Sequence, residues 1–213
     1  MGKKRRVKKG LIVFLFLLIS FGVGFLVYKK INYKKTPTPD KPEVIDSIDN
    51  FQYELNDNET KYYVELFNAL KDLLKNEDYE EEQYALLVSK LFTADFYDLD
   101  SKIMKSDVGG TQFVYSDYRS DFENGAMDSM YKFIESNVYG DRKQELPVVK
   151  SINDISIEQK SFEYGDDIDF DAYYITLGIN YEKNLDYPEE VLLVLIHNDD
   201  KLEVAKLETL KKD

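Results

Sequence analysis

The sequence contains no cysteine among its 213 residues. It can therefore form no disulfide, hold no metal through thiolates and use no cysteine nucleophile. Histidine is almost as scarce, because His197 is the only one. A metal site or a catalytic triad at His197 would have to take its other members from carboxylates and hydroxyls elsewhere in the chain. We expect an ordinary histidine at the end of a strand, and a general-base role beside an acid of a neighbouring strand is the alternative.

Familiar catalytic and nucleotide-binding motifs are also missing. Gly109 and Gly110 are followed by neither the Lys-Ser/Thr pair of a phosphate loop nor the third glycine of a dinucleotide-binding motif. The two glycines instead indicate a turn that needs a positive φ. No Gly-x-Ser-x-Gly segment occurs anywhere in the chain. The sequence accordingly predicts no catalytic residue, no cofactor-binding residue and no cofactor, and we expect the protein not to be an enzyme.

One segment has the alternating acids that open a calcium-binding loop. Asp167, Asp169 and Asp171 occupy what would be positions one, three and five. Position six is Ala172 rather than the glycine that the sharp turn requires, and position twelve is Gly178 rather than a bidentate glutamate. We therefore predict no metal site and expect these carboxylates to be solvated where a strand begins.

Charge is divided unevenly along the chain. Residues 1–35 contain ten Lys or Arg and no acid, whereas residues 36–213 contain 18 Lys or Arg against 41 Asp or Glu. A domain with that excess of negative charge repels phosphate backbones, and nucleic-acid affinity comes largely from cations that neutralise phosphates. We therefore expect no nucleic acid among the partners of the folded part.

The longest apolar run covers residues 10–28, nineteen residues without a charge. An α-helix of that length just spans a hydrocarbon core of about 30 Å. A cleaved signal peptide is the alternative, but its apolar region is usually about 7–15 residues long and ends in a small-x-small motif, which is missing here. We predict an uncleaved transmembrane helix at residues 10–28, with the lipid bilayer as its partner.

The flanks of this run predict its orientation. Six Lys or Arg precede it within residues 1–9, and four lysines follow it within residues 29–35. Because the more positive flank stays inside, residues 1–9 form a basic cytoplasmic tail of a single-pass cell-membrane protein. Residues 29–43, rich in Lys and Pro, act as an extended linker, and residues 44–213 form one extracytoplasmic domain. The absence of cysteine fits a bacterial surface protein.

Apolar residues recur at helical spacing in three stretches. The first follows a cap at Asp57 or Asn58, the second begins after Asp78, and the third ends at Gly140. Their predicted core positions are Tyr63, Leu66, Phe67, Leu70, Leu73 and Leu74, then Tyr84, Leu87, Val88, Leu91 and Phe92, then Ala126, Met127, Met130, Tyr131, Ile134 and Val138.

Alternation with a period of two indicates strands elsewhere. Residues 51–55 indicate one short strand, or an extended lead-in, before the first helix. From residue 148 onward the period is two, most clearly in residues 172–181. Four strands are predicted at residues 148–163, 172–181, 191–196 and 202–207, with turns at residues 165–167 and 198–200 in the first and last connections. Because the helices come first and the strands follow, the sequence predicts an α+β fold in which about three helices cover one face of a four-stranded antiparallel sheet.

Helices followed by a curved antiparallel sheet, whose last hairpin carries His197-Asn198-Asp199-Asp200-Lys201 at its tip, resemble the cone-shaped nuclear-transport-factor-2-like (cystatin-like) fold. With a short cytoplasmic tail and one anchor in front, the chain is also similar to the bitopic scaffold proteins of bacterial conjugation and type IV secretion machines. The pattern covers residues 57–208. The resemblance implies a cone-like domain that assembles with itself or with other envelope proteins.

Two functions therefore stay open for the outer domain. We expect a non-enzymatic interaction or scaffold domain that binds through its sheet or cone mouth, and the alternative is a small-molecule-binding or enzymatic domain that uses the cone cavity. A deep pocket with convergent polar groups would favour the alternative, whereas an interior packed with aromatic side chains would favour the scaffold. Most tyrosines at helical spacing are predicted core or core-edge residues, with a carbohydrate or peptide groove as the other interpretation.

Overall fold

A computed structural model describes residues 42–210 of the chain, all within the compact unit Pro39–Asp213. Its helices and strands, in chain order, are β1 Val44–Ile48, β2 Tyr53–Asn56, α1 Lys61–Leu73, α2 Glu81–Tyr97, α3 Arg119–Asp128, β3 Val149–Tyr164, β4 Asp167–Tyr181, β5 Glu190–Asn198 and β6 Lys201–Thr209. Strands β3 to β6 form an antiparallel sheet in sequential order. The predicted α+β arrangement of three helices and a four-stranded antiparallel sheet is thus confirmed.

No helix within residues 42–210 is long and apolar enough to cross a membrane. The predicted transmembrane helix at residues 10–28, the basic tail at residues 1–9 and nearly all of the predicted linker lie outside the described residues.

The hairpin of β3 and β4 is the longest feature of the sheet. Its two strands pair along their whole length, from the Tyr164–Asp167 pair to the Val149–Tyr181 pair. In contrast, β4 pairs with β5 only from Tyr173 to Gly178. The turn end of this hairpin therefore continues past the point where the backbone pairing with β5 stops. Three irregularities in the register interrupt the pairing of β3, the edge strand, and bulges of this kind discourage an edge from pairing with another chain.

Helix α2 lies at the centre of the fold and contacts all four strands of the main sheet. Its residues Tyr84, Val88, Leu91 and Phe92 are buried, as their spacing predicted. They face the alternate residues of β4 and β5 that also point into the core: Tyr173, Ile175, Leu177, Ile179, Val191, Leu193 and Leu195. Helix α1 packs against α2 and buries Tyr63, Phe67 and Leu70 of the predicted stripe.

Helix α1 begins later than its sequence predicted. The cap is Thr60, whose side-chain oxygen accepts a hydrogen bond from the backbone N–H of Tyr63 at 3.2 Å. The prediction of Asp57 or Asn58 is therefore wrong. The carboxylate of Asp57 instead accepts from the backbone N–H of Glu43 at 3.0 Å and so stabilises the start of the β1–β2 hairpin.

That hairpin replaces the single strand predicted at residues 51–55. Strand β1 pairs with β2, and Phe51 lies in a short 3-10 helix between them. Gln52 has a φ of 53°, which lets the chain reverse into β2. Strand β1 gave no clear sequence pattern because its residues are exposed or half-buried and their pairing is interrupted by an irregularity.

The third predicted helix is also misplaced. Helix α3 ends at Asp128, so Tyr131 and Ile134 lie in the turns that follow it, although both are buried. Tyr131 is fixed individually: its hydroxyl donates to the carbonyl of Phe96 at 2.7 Å and accepts from the backbone N–H of Gly109 at 3.1 Å. Anchors of this kind bury apolar residues without a helix, so their helical spacing was misleading.

The turn at Gly109 and Gly110 has the predicted backbone conformation, because the φ of Gly110 is 75°. Gly109 is required for a different reason. A Cβ atom at that position would lie 2.3 Å from the carbonyl oxygen of Asp95, so only glycine allows this loop to approach the end of α2.

Candidate functional site

His197 lies in a surface groove between the first turn of α2 and the turn end of the β3–β4 hairpin. We call this recess of about 520 Å³ the hairpin groove. It is lined by Glu81, Gln159, Tyr164, Ile168, Asp169, Phe170, Asp171 and His197. The predicted position of His197 at the end of a strand is confirmed, since β5 ends at the next residue.

Two carboxylates contact the His197 side chain. Ring atom Nδ1 lies 2.9 Å from Oδ2 of Asp169, and Nε2 lies 3.3 Å from Oε1 of Glu81. The backbone N–H of His197 donates to the same Asp169 oxygen at 2.7 Å. A neutral imidazole has one N–H and can donate to only one carboxylate, whereas the protonated ring can donate to both. The surroundings of His197 therefore provide a place for a positive charge.

Asp169 joins β4 to β5 where their backbone pairing has stopped. Besides the two bonds from His197, it accepts one from the backbone N–H of Asp171 at 3.0 Å. Burial opposes the charge on Asp169, but these hydrogen bonds outweigh it and lower the pKa of its carboxyl group. Asp169 is thus an anion at neutral pH, and it fixes the position of the hairpin relative to β5.

Glu81 connects the groove to the core. Its Oε2 accepts a hydrogen bond from the hydroxyl of Tyr173 at 3.1 Å, while its Oε1 faces His197. Burial, and then the negative charge of Glu81, raise the pKa of Tyr173 to about 12. Glu81 lies in the first turn of α2, where the partial positive charge of the helix terminus favours a carboxylate. Sequence alone did not pair Glu81 with His197, because 116 positions separate them.

The three acids of the calcium-like segment do not form a loop. Asp167, Asp169 and Asp171 all lie within β4, and Asp169 is directed to His197. Across the described residues 42–210, no group of three or more His, Asp or Glu is arranged to hold a metal ion. His197 was noticed in the sequence because it is the only histidine, and that signal did not reveal its carboxylate partners Asp169 and Glu81.

Two large apolar side chains are exposed along the groove. Phe170 is 73% exposed and Ile168 is 47% exposed, on either side of Asp169. Three acids line the groove with them: Glu81 of the first turn of α2, and Asp169 and Asp171 of β4. The negative charges of Glu81 and Asp200 both act on Tyr79, which shows that the first turn of α2 and the β5–β6 turn are close together.

A second recess, which we call the lysine cavity, lies at the other end of α2 and has a volume of about 270 Å³. Lys102 is buried there and forms an ion pair with Oδ1 of Asp95, while Oδ2 accepts from the backbone N–H of Gly110 at 2.6 Å. Burial opposes the charge on Lys102, but Asp95 outweighs it and raises the pKa of the ammonium group. Glu59 and Asp107 line the same cavity.

Glu59 is the most perturbed carboxyl group in this cavity. Burial, followed by the negative charge of Asp95, raises its pKa to about 7, and Lys102 only partly offsets this rise. Pro42 also lines the cavity, so the described chain begins at this end of α2.

A third recess of about 750 Å³ lies beside the β4–β5 loop, where its lining includes Ile155, Gly178, Tyr187 and Leu210. Its lining also includes the acids Asp186, Glu189 and Glu190 and contains no lysine, arginine or histidine. Carboxylates and apolar side chains thus line this recess together.

Aromatic side chains fill the space between the helices and the sheet. Phe96 contacts the rings of Phe92, Phe122 and Tyr131 with centroid distances of 5.2–5.6 Å. Among the tyrosines at helical spacing, Tyr62, Tyr79, Tyr115 and Tyr118 are half-buried, Tyr139 is exposed, and Tyr63, Tyr84, Tyr97 and Tyr131 are fully buried. The prediction that most of them belong to the core or its edge is confirmed.

Comparisons of the chain with models of known protein families, with curated proteins and with solved structures find no match.

Proposed function

We propose that this protein is a membrane-anchored, extracytoplasmic interaction domain of a bacterial cell envelope, and that it is a scaffold rather than an enzyme. Residues 10–28 anchor it in the bilayer with residues 1–9 in the cytoplasm. The folded domain binds other envelope proteins or itself, and an assembly of the conjugation or type IV secretion type is the context that the resemblance implies.

The packed aromatic core is the observation that carries this proposal. An enzyme or small-molecule binder of the cone type uses a cavity between helices and sheet, whereas Phe92, Phe96, Tyr97 and Tyr131 are buried in that space. The cone-like, nuclear-transport-factor-2-like form of the domain is part of the proposal. It is supported by the helices-then-sheet order and by the coverage of one sheet face by α2.

The surface chemistry supports a protein partner. Residues 42–210 contain 39 Asp or Glu against 15 Lys or Arg, so nucleic acid and anionic lipid surfaces are repelled by the folded domain. At the same time, seven large hydrophobic side chains are exposed, among them Phe133, Tyr139 and Phe170. Exposed aromatic side chains in a polar surround are typical anchors of protein interfaces.

Protease accessibility tests the topology. When a protease is added to intact cells from which the wall has been removed, we expect residues 36–213 to be digested and the anchor with its basic tail to survive. The folded domain is expected to be cut from its linker first, because extended Pro-rich segments are open to proteases. Protection of the domain until the cells are lysed would contradict the proposed orientation.

Site-specific cross-linking in living cells tests the interaction role. A photoreactive amino acid is placed at exposed positions distributed over the domain, namely Ile45, Phe133, Tyr139, Ile155 and Phe170. We expect at least one position to give a reproducible cross-link to an envelope protein or to a second copy. If no position gives one, while His197→Ala abolishes the biological activity of a folded protein, the enzymatic alternative replaces the scaffold.

A further inference from the structure

The hairpin groove exposes apolar side chains beside a hydrogen-bonded aspartate. Phe170 is 73% exposed, whereas Phe67, Phe92 and Phe113 are fully buried. Exposing a phenylalanine to water has no benefit for the isolated domain, since its burial stabilises a fold by roughly 1.5–3 kcal/mol. An apolar side chain displayed on a protruding hairpin is instead typical of an interaction surface.

Asp169 holds this part of the hairpin in place before any partner arrives. It accepts hydrogen bonds from the backbone N–H groups of His197 and Asp171 and from the His197 ring, at 2.7–3.0 Å. Ile168 and Phe170 are its immediate neighbours. When a binding surface is already formed in the free protein, less conformational entropy is lost on binding. The groove can therefore bind a partner with little rearrangement of the hairpin.

The charges around the groove favour a cationic partner over a second copy of this chain. Three of the eight residues that line the groove are acids, Glu81, Asp169 and Asp171, and none of the eight is a lysine or an arginine. A second copy that used this face would bring the same acids together, and like charges across an interface oppose association. A cationic segment meets complementary charge, including Glu81, which is about half exposed.

We infer that the hairpin groove is the docking site for a partner protein segment that carries Lys or Arg next to a large apolar side chain. The apolar side chain packs on Phe170 and Ile168, and the cation pairs with the acids of the groove. This inference rests on the proposed interaction function and names the surface and the chemistry of the partner.

The groove is well separated from the lysine cavity. Pro42 lines the lysine cavity, whereas the groove lies beside Glu81 at the opposite end of α2. Helix α2 has 17 residues, and at about 1.5 Å per residue the two ends are roughly 25 Å apart.

Peptide binding to the full chain tests this inference. The protein is placed in zwitterionic phosphatidylcholine nanodiscs, so that the probe has no anionic lipid to bind. The probe is the fluorescein-labelled peptide Lys-Leu-Lys-Phe-Lys-Leu-Lys, and its match is the same peptide with every Lys replaced by Glu. We expect the lysine peptide to change fluorescence anisotropy with an affinity that falls as salt rises, and the glutamate peptide not to bind.

Two matched pairs of variants locate the site. Phe170→Ser is compared with Phe133→Ser, since both phenylalanines are about three-quarters exposed. We expect Phe170→Ser to weaken binding about tenfold, as is typical of an anchor residue, and Phe133→Ser to change it by less than about twofold. Asp171→Lys, in the groove, is expected to weaken binding about fivefold, and Asp141→Lys, an exposed acid outside it, by less than about twofold.

Each other result overturns the inference. Equal losses at Phe170 and Phe133 mean that the peptide follows net charge over the whole surface. A cross-link from position 170 to a second copy makes self-assembly the use of the groove. A gain in affinity when the lysines of residues 29–35 are replaced by serine means that the chain itself occupies it. In all three cases the proposed scaffold function survives, because its own test is cross-linking anywhere on the domain.

Discussion

An aspartate beside each end of helix α2 accepts hydrogen bonds from the backbone and from one basic side chain, but the two sites differ in exposure. In the lysine cavity, Asp95 binds Lys102 and the amide of Gly110, and the side chains of the ion pair are 11% and 8% exposed. In the hairpin groove, Asp169 binds the amide and the ring of His197, and the two side chains are 9% and 33% exposed. The aspartate is thus buried at both sites, whereas its basic partner is buried at one and open to solvent at the other.

This difference in exposure predicts that the lysine cavity contributes to the stability of the fold and that the hairpin groove contributes to binding. A buried charge pair has lost its hydration, so removing one partner leaves the other without compensation and is strongly destabilising. A pair with one solvent-accessible partner keeps contact with water on that side, so loss of the exposed partner has a small effect on folding, while its open side remains available for binding. We therefore expect substitutions in the lysine cavity to change the free energy of unfolding, and substitutions in the hairpin groove to change binding.

The largest effect is expected for Lys102→Met, which keeps the length of the side chain but removes its charge. Asp95 is then left with one amide donor in a buried site that also contains Glu59 and Asp107. We expect the free energy of unfolding to fall by about 3–5 kcal/mol, measured by urea denaturation with far-UV circular dichroism because the chain has no tryptophan. Lys105→Met, at an exposed lysine nearby, is the control. If Lys102→Met lowers the free energy of unfolding by less than about 1 kcal/mol, the Lys102–Asp95 ion pair contributes no more than a solvent-exposed salt bridge does.

A smaller effect with a distinct pH dependence is expected for Glu59→Gln. Glu59 has a pKa of about 7 in the folded protein against an ordinary value of 4.5. Between these values the folded protein holds a proton that the unfolded chain has released, so the stability due to Glu59 is complete below pH 4.5 and is lost as the pH rises through 7. Glutamine has a neutral amide that does not ionise, so the variant does not lose this stability as the pH rises. We expect the variant to be more stable than the wild type at pH 8 by about 2 kcal/mol.

The control for that measurement is the pH profile itself. At pH 4.5 the two proteins are expected to have nearly equal stability, and the difference should appear between pH 4.5 and 7, the two values that bound the titration. Equal stability of the two proteins at every pH would mean that Glu59 is solvated and that the cavity is open to water.

The main sheet and the first two helices followed from the sequence because their residues repeat. Tyr173, Ile175 and Leu177 alternate along one face of β4, and Phe67 and Leu70 are three positions apart on α1. Regular burial produces a regular pattern, which is why these elements were predicted correctly. Strand β1 and the segment after α3 were not predicted correctly because their burial is irregular. Strand β1 buries little of its surface, and Tyr131 is held in the core by hydrogen bonds of its hydroxyl group and not by a helix.

The candidate site was only half accessible to sequence reasoning. His197 and Asp169 were both noticed, but for separate reasons, and Glu81 was not singled out as a site residue. Their meeting depends on where β4 leaves β5 and on how α2 crosses the sheet. Contacts of that kind are set by tertiary packing between elements far apart in the chain, and no local spacing encodes them.

The smallest effects are expected in the hairpin groove, where Asp169→Asn and His197→Gln separate the two halves of one contact. His197→Gln keeps the backbone N–H that donates to Asp169, so we expect it to change the free energy of unfolding by less than about 1 kcal/mol. Asp169→Asn removes the charge that accepts hydrogen bonds from His197 and Asp171, and we expect the free energy of unfolding to fall by about 1–2 kcal/mol at pH 7.

The effect of Asp169→Asn is expected to depend on pH. Because the folded protein lowers the pKa of Asp169, its contribution to stability is present above the ordinary pKa of a carboxyl group and is lost as the pH falls through the lowered pKa. Urea denaturation at pH 7 and at pH 3 measures the free energy of unfolding of both variants. At pH 3 the stability of the Asp169→Asn protein should approach that of the wild type. A larger loss for His197→Gln than for Asp169→Asn would show that the imidazole, and not the aspartate, organises the groove.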